Sequence, residues 1–353
     1  MPTTAAYISR PTVLIDGQAA EGLMTDLVAF AAEESIAGMA RCEARFHNFG
    51  TDGYRYFGRD TLDFGKAIAF TMGAGDTAAI VFSGKVTALE ASFAAGGQPA
   101  VTVLAEDRLQ SLRMTRRTRT FEDSSDSDVI SQIASDHGLE ANVDIEGPTH
   151  KVVAQLNQSD LAFIRARARN VDAELWVEDT TLHAVRRTGR TGDPVELSLG
   201  SGLIDLTVRA DLAHQCSELG VAGWDASAKE AIEETAGPSD VSGELGNDVG
   251  GSSVLDEKLE ARKERVVRAT PTTTSEASGL AKAMYLERAR RFVTGTGLAD
   301  GDPRIRVGVK VRLQGVGPLF DGSYYVSRAL HRFDQQNGYR TEFDVERAGI
   351  GAP

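Results

Sequence analysis

The alternation of apolar and polar positions changes character several times along the chain, and each change predicts a different element. Arg41-Cys-Glu-Ala-Arg-Phe-His47 alternates strictly, with Cys42, Ala44 and Phe46 on one face and Arg41, Glu43, Arg45 and His47 on the other. Period two over this stretch predicts a half-buried strand. Thr12-Val-Leu-Ile15 before Asp16-Gly17 predicts another strand, closed by a turn. Val81 to Glu90 and Ala100 to Leu104 flank Gly96-Gly97, the pattern of a hairpin. Short strands punctuated by glycine suit a small barrel or a sandwich over residues 1–110.

Residues 111–202 read as a small α+β module. Ser125-Asp-Ser-Asp128 offers helix caps, and Val129, Ile130, Ile133 and Ala134 follow at helical spacing, with Gly138 as the stop. A second short helix fits Asp160 to Asn170, with Leu161, Ile164 and Ala168 on one stripe. Ala173 to Val177, a turn at Asp179-Thr180, and Thr181 to Val185 predict a hairpin. Strand pattern returns over 203–224. The stretch 233–274 is rich in Gly, Ser, Thr and Pro with few large apolar residues, which predicts a mobile insertion. A helix from about Ser275 to Phe292 follows, with Leu280, Ala283 and Met284 inward and arginines near its end. The remainder reads as strands.

The two strand-rich ends echo each other. Phe82-Ser-Gly84, Val86, Phe93, a Gly96-Gly97 turn and Glu106-Asp-Arg108 parallel Phe320-Asp-Gly322, Val326, Phe333, an Asn337-Gly338 turn and Glu346-Arg347. Upstream, Gly65-Lys-Ala-Ile-Ala-Phe70 matches Gly308-Val-Lys-Val-Arg-Leu313, and each is followed by glycines (Gly73 and Gly75; Gly315 and Gly317). Either glycine-punctuated hairpins look alike by chance, or one small barrel occurs twice. In the second case the second copy is split: residues 203–232 plus 300–348 form it, and 233–299 are inserted.

The 353-residue length is consistent with two or three domains, at roughly 150 residues each. Thirty-eight Lys plus Arg against 51 Asp plus Glu leave a net charge of −13, which argues against general nucleic-acid affinity. A composition 41% hydrophobic and 25% charged is that of a soluble globular protein. No run of about 18 apolar residues suggests a membrane span. The opening Met1-Pro-Thr-Thr-Ala-Ala-Tyr-Ile lacks a secretory pattern, so synthesis in the cytoplasm and no membrane partner are expected.

Candidate chemistry is sparse. Cys42 and Cys216 cannot make a disulfide framework, and His47, His137, His150, His183 and His331 stand singly, so neither a metal nor a cofactor is expected. His214-Gln-Cys216 is the one close His–Cys pairing and could touch in an extended segment. A hydrolase using that region is the alternative functional reading. Glu122, Asp123, Asp126 and Asp128 read as acids around a helix start rather than a catalytic pair. Arg108, Arg113, Arg116, Arg117 and Arg119 form a basic patch: a subunit interface facing the run Glu122 to Asp128, a solvated face, or a DNA-binding surface. Trp176 and Trp224, at strand positions, are expected in the core.

The order of several motifs resembles the phage late control gene D family, the baseplate hub family that includes the hub half of VgrG-type spikes. They are Phe82-Ser-Gly-Lys-Val-Thr, Asp107-Arg-Leu-Gln-Ser-Leu-Arg113, Arg119 to Val129, Gln155-Leu-Asn-Gln-Ser-Asp160 with Phe163-Ile-Arg-Ala-Arg-Ala168, Val221-Ala-Gly-Trp-Asp225, Gly315 to Val326 and His331-Arg-Phe-Asp334. The resemblance covers most of residues 10–347. It implies a mainly β protein with α+β parts: two related small barrels, an α+β domain between them and an insertion in the second. It further implies a non-enzymatic homotrimer joining a hexameric tail tube to a trimeric spike, with baseplate wedge proteins around it and cargo in its channel. Two barrels in each of three chains would match a sixfold tube on one side and a threefold spike on the other. A fused VgrG continues into a further binding fold and a β-prism, whereas this sequence stops at Gly349-Ile-Gly-Ala-Pro353, so the spike is expected to be a separate polypeptide assembled with it into a phage tail or injection particle.

Overall fold

The computed structural model describes residues 10–73, 77–190 and 192–351. The opening Met1 to Ile8, the echo glycine Gly75 and the final Ala352-Pro353 lie outside the described residues.

The first unit comprises β1 (Thr12–Ile15), β2 (Gln18–Ala19), α1 (Glu21–Asp26), β3 (Leu27–Ser35), β4 (Arg41–His47), β5 (Ala67–Met72), β6 (Ala79–Ser92) and β7 (Ala100–Glu106). Its strands run β2-β1-β5-β6-β7-β4-β3, all antiparallel. Strict alternation in β4 buries Cys42, Ala44 and Phe46 in a core with Phe30, Phe70 and Val103.

The α+β module follows: α2 (Gln110–Arg113), β8 (Arg116–Ser124), α3 (Asp126–Asp136), β9 (Glu140–Asp144), β10 (His150–Ser159), α4 (Asp160–Asn170), β11 (Ala173–Glu178) and β12 (Thr181–Arg186). Ser125 caps α3 through a reciprocal pair with Asp128, so that acid serves the helix start. The helix stops at Gly138, whose φ of +66° suits glycine. α3 and α4 pack beside the sheet β11-β12-β9 around Ile130, Ile133, Phe163 and Leu182.

The remaining elements are β13 (Val195–Leu199), β14 (Gly202–Ala210), β15 (Glu218–Asp225), β16 (Glu230–Ala236), α5 (Pro238–Leu245), β17 (Val249–Gly250), α6 (Gly251–Lys258), β18 (Lys263–Val266), α7 (Thr274–Ala289), β19 (Val293–Asp300), β20 (Lys310–Gln314), β21 (Gly322–Asp334), β22 (Gly338–Arg347) and β23 (Gly349–Ile350). Six of them close a barrel in the order β20-β13-β14-β19-β22-β21 and back to β20. Tyr324, Val326, Phe343 and Val345 fill it. Two of its strands, β13 and β19, lie in stretches whose sequence suggested the α+β module and the insertion. Conversely β15 and β16, read as part of the second copy, leave the barrel and form a sheet with β18 under α7. A period-two pattern reports half-burial, not which sheet a strand joins.

The stretch 233–274, expected as an irregular mobile segment, carries α5, β17, α6 and β18. Its few apolar residues are spaced to be buried: Val241 and Leu255 are fully enclosed. Mean composition conceals such isolated anchors. Trp224, expected in the core, is instead 56% exposed on the outer side of β15.

The internal echo has an atomic counterpart. Gly65 and Gly308 both have positive φ, and each donates its N–H to the carbonyl of a valine, Val86 or Val326. Each valine in turn donates to the residue after that glycine, Lys66 or Val309. The ladders β6–β7 and β21–β22 both slip at the next residues, between Val86 and Ala88 and between Val326 and Arg328. One detail of the expected alignment changes: Phe82 and Gly322 pair with Phe70 and Leu313, so the Phe-x-Gly openings are two residues out of phase. The two units differ at one strand. β1 runs antiparallel to β5, whereas β13 runs parallel to β20.

Candidate functional site

No described helix is long and apolar enough to cross a membrane, and no group of three metal-ligating side chains occurs among the described residues. What the fold does build are surfaces through which similar units meet.

The first such surface is already occupied. β3 of the first unit pairs antiparallel with β21 of the second, from Ala29 opposite Asp334 to Ser35 opposite Arg328. One sheet of thirteen strands therefore runs through both. Across this seam Arg306 grips Glu34 with both arms, at 2.7 and 2.9 Å, and the Val307 N–H adds a bond at 2.7 Å. Burial alone would raise the Glu34 pKa, but the Arg306 charge and these bonds outweigh it and hold the carboxyl at about 2. Glu33 is shared by Arg328 and Arg41. Phe333 crosses into the core of the first unit, where it is 3% exposed. His331 beside it is buried, bonded to the Tyr339 hydroxyl at 2.8 Å, and burial pushes its pKa down to about 4.

A second junction fixes the α+β module to the insertion. Arg290, immediately after α7 and 3% exposed, binds Glu244 of α5 at 2.6 and 2.9 Å and Asp172 in the turn after α4 at 2.8 Å. A cleft of about 610 Å³ lies over this junction, lined by Asp126, His150, Arg167, Glu276 and Lys282 among others.

The expected arginine patch divides. Arg119 turns inward, over the Phe121 ring and onto Asp136, Gln155 and Asp160 at 2.8 to 2.9 Å. Arg117 reaches Asp160 at 3.1 Å, and His137 does so at 2.8 Å. Burial of Asp160 raises its pKa, and the bonds from His137 and Gln155 with the two arginine charges more than reverse this. Asp160 is thus the hub of an internal network. Within the chain the acidic run Glu122 to Asp128 bonds elsewhere: Asp126 binds Arg167, and Asp128 caps α3. Arg113 pairs with Glu106, and Arg116 remains exposed with one bond to the Asn157 carbonyl.

His214 and Cys216 do not share a face. The chain turns at Ala213-His214, leaving His214 exposed and Cys216 buried beside Leu219 and Val221. Burial raises the Cys216 pKa above its ordinary value, so the thiol stays protonated at neutral pH, and it has no histidine base as a bonded partner.

A feature missed in the sequence is an exposed aromatic cluster on the first unit. Phe49, Tyr54, Phe57 and Phe93 contact one another with ring centroids 5.2 to 6.0 Å apart, and Phe93 is 62% exposed. Three of them crowd into a glycine-punctuated stretch, Phe49-Gly-Thr-Asp-Gly-Tyr-Arg-Tyr-Phe57, where no core strand is predicted. That crowding was the available signal.

Residues 50–335 match the family model described as the Alg8 N-terminal domain. The chain belongs to the Alg8 N-terminal domain family. Comparison with curated protein sequences gives no match. Among solved structures, the 43 kDa tail protein of prophage MuSo2 from Shewanella oneidensis superposes with a TM-score of 0.70 at 16% identity, over 96% of this chain and 98% of that one. A tail protein from Neisseria meningitidis gives 0.67 at 12% identity, over 97% and 98%. The c3393 protein of E. coli, a type VI secretion component similar to the bacteriophage T4 tail proteins gp27 and gp5, gives 0.58 at 11% identity, over 93% and 76%. This chain therefore shares the fold of these tail proteins, and the fold class implied by the resemblance to baseplate hubs is the one found.

Proposed function

We propose that this chain is a structural baseplate hub of a contractile tail or injection system, acting as a homotrimer between a sixfold tube and a threefold spike. The observation that carries the reading is the duplicated unit, with the same glycine, valine and ladder slip in each copy. Two similar units per chain give six around a threefold axis, which is how a trimer can meet a hexameric ring. The fold shared with phage tail proteins and a type VI secretion component supports the same role. In this reading residues 1–110 are the first barrel domain and 111–194 the α+β domain, while 195–210 with 293–348 form the second barrel and 211–292 its insertion. Interface burial and shape do the work, and no catalytic residue is assigned.

The β8–β10 ribbon is a further surface for a neighbouring subunit or wedge protein. Val152 and Leu156 stand 58% and 65% exposed there, with Arg116 and the exposed Met114 at its base. Exposed apolar residues with arginine are the composition of an interface core. The channel of the assembled ring would take cargo.

Isolated particles test the role. The chain is expected at three copies per particle, and deletion of its gene should abolish assembled tubes. Tubes of normal length and number without it would contradict the hub.

A further inference from the structure

The seam inside the chain joins β3 of the first unit to the part of β21 that runs past β20 in the second, and the equivalent overhanging segments on the other side of each unit are unused. Ladder registers define the equivalence. Leu27 pairs with Phe46 before a slip to Ala29, and Leu203 pairs with Ala299 before a slip to Asp205, so Ala29–Ser35 of the first unit correspond to 205–211 of the second. By the matching slips after Val86 and Val326, residues 88–94 correspond to 328–334. Among the described residues, β14 from Asp205 to Ala210 is paired with β19 on one side only. β6 from Ala88 to Ser92 is likewise paired only with β7. Open strand edges of this kind are templates for another chain.

We infer that β14 of one copy pairs antiparallel with β6 of the next copy, in the register that β3 and β21 use within the chain. The number of copies rests on the trimer proposed above; the choice of edges and register rests on the repeat. Transferring the seam, in which Phe333 faces Phe30 and Leu330 faces Glu33, sets Phe93 opposite Leu206 and Glu90 opposite Arg209. It also sets Ala91 opposite Val208, Leu89 opposite Ala210 and Ser92 opposite Thr207. One face of the joint is then wholly apolar. The other carries a cross-strand ion pair and a Ser–Thr pair, both favourable in this geometry.

The exposure of the two equivalent phenylalanines agrees. Phe333 is 3% exposed because the first barrel covers it, whereas Phe93 is 62% exposed. Leu206, its opposite number in the joint, sits half-buried at the margin of the second barrel's core. The next copy would cover Phe93 with that margin. A head-to-tail contact between unlike edges propagates from copy to copy, and it closes as a ring where its rotation divides the circle, as the proposed trimer requires.

Paired cysteines test the register. Directly opposite residues in an antiparallel pair have Cβ atoms about 4.5–5.5 Å apart. Glu90→Cys combined with Arg209→Cys is therefore expected to give disulfide-linked oligomers on mild oxidation, and neither single variant should. Cys42 and Cys216 are both buried and should not interfere. Glu90→Cys with Val208→Cys, whose side chains lie on opposite faces, is the control. A trimer by light scattering that fails to cross-link, or in which the control links equally well, would overturn the pairing and leave the hub reading standing. A monomer would overturn both.

Discussion

Replacing Arg290 by methionine should cost about 3 kcal/mol or more of unfolding free energy, the range for breaking a buried ion pair by removing one partner. Arg290 is 3% exposed, and the substitution leaves Asp172 and Glu244 facing one another without a cation. Burial alone would depress the Arg290 pKa, but its bonds to Glu244 and Asp172 raise it above the ordinary value, so the cation is well matched to its site. The side chain ties the turn after α4, helix α5 and the end of α7 together, so loss should appear first as loosening of the insertion against the α+β module. Adding Asp172→Asn and Glu244→Gln should recover most of the loss, because removing a whole buried charge cluster costs far less than orphaning part of it. Denaturant titration of the three proteins measures this. An Arg290→Met protein within about 0.5 kcal/mol of the parent, the ordinary range for a surface substitution, would show that the junction carries no load.

Acid should open the seam between the barrels in two windows. His331 has a folded pKa of about 4 against an ordinary 6.5, so the unfolded chain takes up its proton first and stability falls from about pH 6.5 to 4. Glu34 has a folded pKa of about 2 against an ordinary 4.5. Its contribution is complete above the higher value and is lost as pH falls through the lower one. Each shift corresponds to about 3 kcal/mol, from roughly 1.4 kcal/mol per pH unit. His331→Gln should flatten the upper window, and Glu34→Gln the lower. Unfolding free energies measured from pH 7 to 2 decide it: parallel curves for parent and variants would contradict the assignment. Because His331 lies on β21 and Glu34 on β3, the strand paired with it across the seam, the expected consequence is separation of the two barrels before either unfolds.

How much of this was legible beforehand depended on the range of the interaction. The helix at Asp160–Asn170 was readable because its signals are local: Ser159 caps it, and Leu161, Ile164 and Ala168 fall on one stripe. The hairpin turning at Asp179-Thr180 was equally local, with Asp179 in the left-handed region. The duplication was readable through Gly65 and Gly308, since a positive φ leaves a residue-specific mark. The Phe-x-Gly openings mislead because both carry a glycine, Gly84 and Gly322, whereas the ladders place Tyr324 at the position of Gly84.

Non-local partners were not legible. Arg117 and Arg119 looked like a free basic patch because their acceptor, Asp160, lies some forty residues on. The Arg306–Glu34 clasp joins residues separated by 272 positions, and no spacing rule reaches that far. His214 and Cys216 looked adjacent in an assumed strand, but a turn sends one to solvent and the other to the core. The aromatic cluster at Phe49, Tyr54, Phe57 and Phe93 is not legible in sequence, because exposed aromatics resemble core residues until the strands around them are known.

The most direct measurement is the molar mass of the purified chain by light scattering over a range of concentrations. A trimeric hub requires a stable species near three times 37.7 kDa. A species that stays at the mass of one chain at every concentration would contradict it.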